Sequence, residues 1–213
     1  QALQWGSMLR NLGTIARHPT FIAWAALQTS TYAGLFTFLG ASSFVFLKVY
    51  GMQPSTYGLL VSTASMSYLA GTFLCRRLLP RLGLKKTVAV AGAFSWSGGT
   101  LMGVLALAGW HHPAAFLLPH FLFMIGHGIH QPCSQTGALG PFPHMAGTAA
   151  ALAGFIMMCV AFGVGAWLGT RIDGTVFPLT NGIWFWSAVC ALIAWTLVQK
   201  YGETHEQPQP AVS

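Results

Sequence analysis

Residues 87–170, the 84 positions between Lys86 and Arg171, contain no Asp, Glu, Lys or Arg, and most are Ala, Leu, Gly, Phe, Val, Met or Trp. A water-solvated domain needs charge spread over its surface, and an ordinary globular chain is about 25% charged. This chain is 6% charged and 54% hydrophobic. Lipid is the natural solvent for such a stretch. A hydrocarbon core of about 30 Å takes about 20 helical residues to cross, so this window alone has room for three crossings with their turns.

Reading outward from the window gives six apolar segments, near residues 20–47, 55–79, 87–110, 113–137, 145–170 and 179–199. Unpaired backbone polar groups are not tolerated against lipid, and segments this long exceed a barrel strand, so the expected fold is all-α with six membrane helices. The net charge of +7 invites a nucleic-acid reading, but the positions of the charges argue against one. Arg76, Arg77, Arg81, Lys85 and Lys86 sit with Gly83 in the second connection, Arg10 and Arg17 precede the first segment, and Lys200 follows the last. Six crossings place all eight on one side, against Lys48 and Arg171 on the other. The excess of positive charge on cytoplasmic loops then predicts both ends of the segment in the cytoplasm, with the basic loop facing it. The expected partners are the lipid bilayer and a small molecule, and not nucleic acid.

The expected organisation is an N-terminal loop over 1–19, a helical bundle over 20–199 and a disordered, polar, Pro-containing tail over 200–213. The first 19 residues lack the apolar stretch of a signal peptide, and the start at Gln1 predicts a longer reading frame. Cys75, Cys133, Cys159 and Cys190 match no metal or redox spacing and read as buried small hydrophobes.

The six segments divide into two triplets at the Trp110–His111–His112–Pro113 turn. The first helix of each triplet is the most polar. Trp24, Gln28, Tyr32 and Phe36 recur at four-residue steps on one, and His120, Met124, His127, Gln131 and Gln135 form a stripe on the other. Paired three-helix repeats with a binding site at their interface are a common transporter plan. Trp24, Gln28, Tyr32, Phe36, His127, Gln131 and Gln135 are therefore the candidate cavity wall, since a buried amide needs a partner or water and pockets are mostly apolar with few fixed polar groups. Small residues at four-residue spacing, Ala91, Ser95, Gly99 and Gly103 on the third helix and Ala161, Gly165 and Gly169 on the fifth, predict close helix packing. Pro132 removes one helical hydrogen bond beside the His stripe.

Two further stretches carry a resemblance. Gly128-Ile129-His130-Gln131-Pro132-Cys133, followed by the run from Ala138 through Phe142-Pro143 to Ala146-Gly147-Thr148-Ala149, resembles the tenth and eleventh helices of the major facilitator superfamily, in particular the bicyclomycin-resistance (Bcr/CflA) group of drug:proton antiporters. Arg81-Leu82-Gly83-Leu84-Lys85-Lys86 is similar to the second half of the superfamily's basic loop motif, with Pro80 where an Asp is usual. The resemblance covers nearly the whole chain, as the C-terminal half of a twelve-helix protein. It implies a proton-coupled exporter of small amphipathic compounds in a bacterial inner membrane, working by alternating access against an N-terminal six-helix half that carries the coupling acids. On this reading the protein is a carrier and not an enzyme, with no cofactor and no metal. Two alternatives stand beside it: a membrane haem or metal protein using His120, His127 and His130, and a six-helix carrier that works as a homodimer.

Overall fold

The computed structural model describes residues 5–110 and 112–203, and within them every regular element is helical. A helix α1 (Trp5–Ala16) leads into α2 (Pro19–Phe44), which ends in a π-helical turn, Val45–Val49. Then come α3 (Pro54–Leu107), α4 (Pro113–Leu139), a 3-10 turn (Pro143–Met145), α5 (Ala146–Arg171), α6 (Phe177–Trp195) and the short α7 (Leu197–Tyr201). Proline opens α2, α3 and α4, where its fixed φ suits a first turn and its missing N–H would have no partner. Four stretches are long and apolar enough to cross a bilayer: Pro19–Val49, Pro54–Leu107, Pro143–Arg171 and Phe177–Tyr201. α4 is equally long but carries three His and three Pro, which lower its apolar content.

Drawn straight, the 54 residues of α3 would run about 80 Å, more than twice a hydrocarbon core. They do not run straight. Gly83 has φ 73° and ψ 173°, a conformation essentially confined to glycine, and the helix folds back there. Ala64 before the break and Met102 and Ala106 after it share one apolar cluster, while Cys75 and Val88 share another. α3 is thus a hairpin of two helical segments.

The two clusters mark the two ends of the bundle. One joins the start of α2 (Phe21, Trp24, Leu27), the α3 bend, the end of α4 (Cys133, Ala138), the start of α5 (Ala149, Ala153) and the end of α6 (Cys190, Ala194). The other joins the end of α2 (Phe38, Phe46), the start of α4 (Phe116, Phe123), the end of α5 (Val164, Leu168) and the start of α6 (Leu179, Ile183). Six helical segments therefore alternate in direction between the two ends. Ile15 of α1 is packed into the first cluster, so part of the expected N-terminal loop is an ordered, docked helix.

Small residues let these segments approach, since helices in lipid associate by close packing more than by the hydrophobic effect. Ala91, Ser95, Gly99 and Gly103 are all buried. A Cβ on Gly99 would collide with Ser187 of α6, and one on Gly103 with Trp184. Gly126 of α4 lies on Ala91 and Ser95, and Gly128 on Tyr68 and Thr72. The expectation for α5 is corrected: Gly165 and Gly169 are exposed with open space beside them, and Ala161 is half-buried. α5 packs through Ala149, Ala153, Val164 and Leu168 instead.

The expected tail also divides. Residues 200–203 are ordered, with α7 closing on Tyr201, whereas 204–213 lie outside the described residues, as does His111. Cys75, Cys133 and Cys190 are buried as expected, but Cys159 is exposed on α5.

Candidate functional site

Rings and amides from α2, α3 and α4 meet halfway along the bundle. His127 is 3% exposed and takes a hydrogen bond at 2.9 Å between its Nδ1 and Thr31 Oγ1. Tyr32 stands edge-on to its ring at 5.1 Å between centroids, and Tyr68 of α3 lies 5.7 Å away. Phe36 extends the wall from Tyr32 at 5.9 Å. Four-residue steps on α2 make this arrangement, because residues four apart share a helix face. Tyr32, Phe36, Tyr68 and Gln131 are half-buried, Gln28 is 8% exposed, and Gln135 is exposed, so the wall opens to one side of the bundle. The side-chain oxygen of Gln131 is buried without a partner among the described residues. Such a group is a standing cost unless something binds it.

Chemically the wall offers aromatic faces, hydroxyls, amides and one imidazole, without a charge. Arg17 and Lys48 bracket α2, and α4 carries no Asp, Glu, Lys or Arg at all. Chemistry of that kind suits stacking and a few directed hydrogen bonds.

Trp24 does not belong to the wall. It is fully buried in the first cluster, where Gly137 and Gly202 make room for its indole. The other two His of α4 also turn away from the opening. His130 Nε2 lies 3.3 Å from the Val88 carbonyl, and its Nδ1 lies 3.3 Å from Cys190 Sγ. His120 is fully buried and stacked on Phe38 at 3.6 Å, with Phe123 on its other flank. Among the described residues no three His, Cys, Asp or Glu side chains converge as a metal shell requires.

Thr31 and Tyr68 are site residues that the polarity pattern missed. Thr31 sits in the run Gln28-Thr29-Ser30-Thr31-Tyr32 but off the four-residue stripe, and Tyr68 lies in a stretch, residues 58–74, whose other polar residues are small Ser and Thr. A second unexpected feature is a groove of about 670 Å³ between α5 and α6, lined by Cys159, Gly163, Trp167, Asn181, Phe185 and Trp186 among others.

The basic connection stands at the first end of the bundle. Arg76, Arg77, Arg81 and Lys86 are exposed around the Gly83 bend, while Lys85 pairs with Glu203 at 3.0 Å. Gln199 donates to the Lys85 carbonyl at 3.0 Å, tying α7 to the bend. Arg10 lies on α1, which docks at this same end, whereas Lys48, Arg171 and Asp173 lie at the other.

A family model described as MFS/sugar transport protein matches residues 1–136. An uncharacterized MFS-type transporter of Bacillus subtilis is 23% identical over 190 residues, covering 89% of this chain and 46% of the relative. A bicyclomycin resistance protein homolog of Haemophilus influenzae is 24% identical over 196 residues, covering 90% of this chain and 47% of the relative. The chain thus spans about half the length of these relatives. No solved structure matches it.

Proposed function

The chain belongs to the major facilitator family described as MFS/sugar transport protein, and from that premise we propose that it is the C-terminal half of an efflux transporter for small amphipathic compounds. The observation that carries the proposal is the uncharged wall of Tyr32, Phe36, Tyr68, His127 and Gln131, open on one side of the bundle. A half-cavity of this kind needs a second wall. An N-terminal six-helix half would provide it, and the open, glycine-bearing face of α5 suits close approach by further helices. Substrate would be exposed alternately to each side as the halves rock about the central site.

In this reading six helical segments cross the inner membrane of a bacterium as two three-helix repeats, and both ends of the segment lie in the cytoplasm. The basic bend faces the same side, in keeping with the charge asymmetry. The proton is the coupling ion. Its acceptor belongs to the other half, because no carboxylate lies within the apolar segments here. Gln28 and Gln135 extend the wall toward the cytoplasmic end. The name of the Haemophilus relative supports a drug as substrate class.

Cysteine accessibility tests the proposal. In cells carrying the full-length protein, a cysteine at Phe36 should react with a water-soluble maleimide and be shielded by an exported drug. A cysteine at Phe38, which is 2% exposed, should not react. Equal reactivity at both positions, or none at Phe36, would show that this face does not line an aqueous cavity.

A further inference from the structure

We infer that Thr31 holds His127 in one tautomer, with Nε2–H presented to the cavity as a donor, so that the site selects flat, uncharged aromatic ligands bearing an in-plane hydrogen-bond acceptor. The inference rests on the cavity reading above and deepens it. It follows from proton accounting over four side chains.

The Val88 carbonyl can only accept, so His130 Nε2, 3.3 Å away, carries a proton. The neutral ring then has a bare Nδ1, and the Cys190 thiol at 3.3 Å must donate to it. With its proton spent, the Cys190 sulfur is left as a weak acceptor among the Ser30, Thr31 and Ser95 hydroxyls. Ser30 has a stronger acceptor in the Leu27 carbonyl at 2.9 Å. Thr31, fully buried, has His127 Nδ1 at 2.9 Å. An imidazole nitrogen is a far better acceptor than a thiol sulfur, so the Thr31 hydroxyl donates to Nδ1 and the His127 proton resides on Nε2.

Nε2 is not among the buried atoms left without a partner, whereas the Gln131 oxygen is. The site therefore offers a directed N–H beside the Tyr32 and Tyr68 rings. A planar heteroaromatic ligand that stacks on the tyrosines meets the N–H with a ring nitrogen or carbonyl. With no charge on α4 and none on α2 between Arg17 and Lys48, the wall offers a charged ligand no ion-pair partner. Thr31 is a positioning residue: it touches His127 and not the ligand.

The test uses the full-length transporter with its histidine nitrogens isotopically labelled. Proton–nitrogen correlation spectra should show His127 protonated on Nε2 in the wild type and in Thr31→Ser, and a mixture of tautomers in Thr31→Val. Quinoline and naphthalene, which match in shape and differ in one ring nitrogen, then probe the ligand class by saturation-transfer binding. The wild type and Thr31→Ser should prefer quinoline about fivefold, the worth of one net hydrogen bond. Thr31→Val should reduce that preference, and His127→Phe should abolish it while retaining naphthalene binding. Protonation of His127 on Nδ1 in the wild type, or a Thr31→Val protein indistinguishable from it, would overturn the role of Thr31. Equal affinity for the two compounds in the wild type would overturn the ligand class. If neither compound binds, the cavity reading itself fails, while the spectra still decide the tautomer. Should Thr31→Val not accumulate, the wild-type spectrum and His127→Phe carry both arms.

Discussion

At Gly99 a single hydrogen lets α3 lie against α6, because the Cβ of any other residue would overlap Ser187. Gly99→Ala should therefore lower stability by about 1–3 kcal/mol, the usual range for overpacking, whereas Gly58→Ala, where a Cβ meets nothing within 4 Å, should not. Thermal melting of the purified full-length protein separates the two. Tyr50, just beyond the π turn, gives a pH-dependent case. Burial pushes its phenol up to about 12, and its hydroxyl has no partner among the described residues. An exposed phenol ionises near pH 10, so the unfolded chain releases this proton first. The contribution is intact below about pH 10 and is lost as pH rises toward 12. Tyr50→Phe should melt no lower than the wild type at neutral pH and should lose less stability on the alkaline side. The grouping of Tyr32 and Phe36 with His127 was legible in the sequence, and Trp24 shows the limit. Each four-residue step overshoots a full turn by about 40°, so Trp24, three steps from Phe36, has rotated by about 120° into the core. A stripe of four-residue steps is reliable over two turns and misleading over three.

Among the elements, α3 shows most clearly what local sequence can and cannot specify. The basic run from Arg76 to Lys86 reads as a loop between two helices, yet the backbone is helical on both sides of one glycine. Charges argue for exposure but do not oppose helix formation, so the bend depends on Gly83 and its φ of 73°. Gly83→Ala should cost about 1–3 kcal/mol through backbone strain alone, since a Cβ there meets nothing within 4 Å. Gly58→Ala, in a regular stretch of the same helix with equally open space, should be neutral or stabilising. A melting comparison in which both variants behave alike would contradict the assignment of the bend to Gly83. α5 was legible as a helix, but not in its orientation. Ala149, Ala153, Val164 and Leu168 and the exposed Gly165 and Gly169 are all small or apolar, so composition gives no reason to turn either set inward.

For the whole molecule, charge placement and bundle geometry combine into an orientation. The Gly83 bend and the C-terminal end of α6 share one end of the bundle, and the Asp173 turn lies at the other. A cysteine at Arg81 should be labelled only from the cytoplasm and one at Gly174 only from outside; labelling of both from one side would contradict the proposed crossings. The alternation of six segments was legible because hydropathy reports length directly. The pairing of Lys85 with Glu203 was not, since it joins residues far apart in the chain. The central claim is that the α2–α4 wall selects substrate, and resistance measured together with membrane abundance tests it most directly. In the full-length protein, His127→Ala and Gln131→Ala should change the set of compounds exported by tenfold or more for some, on the order of one or two lost hydrogen bonds, with abundance unchanged. Gly58→Ala, with open space beside it on α3, should match the wild type in abundance. If resistance to every compound falls in proportion to abundance in the two wall variants, these side chains hold the fold together and do not choose the substrate.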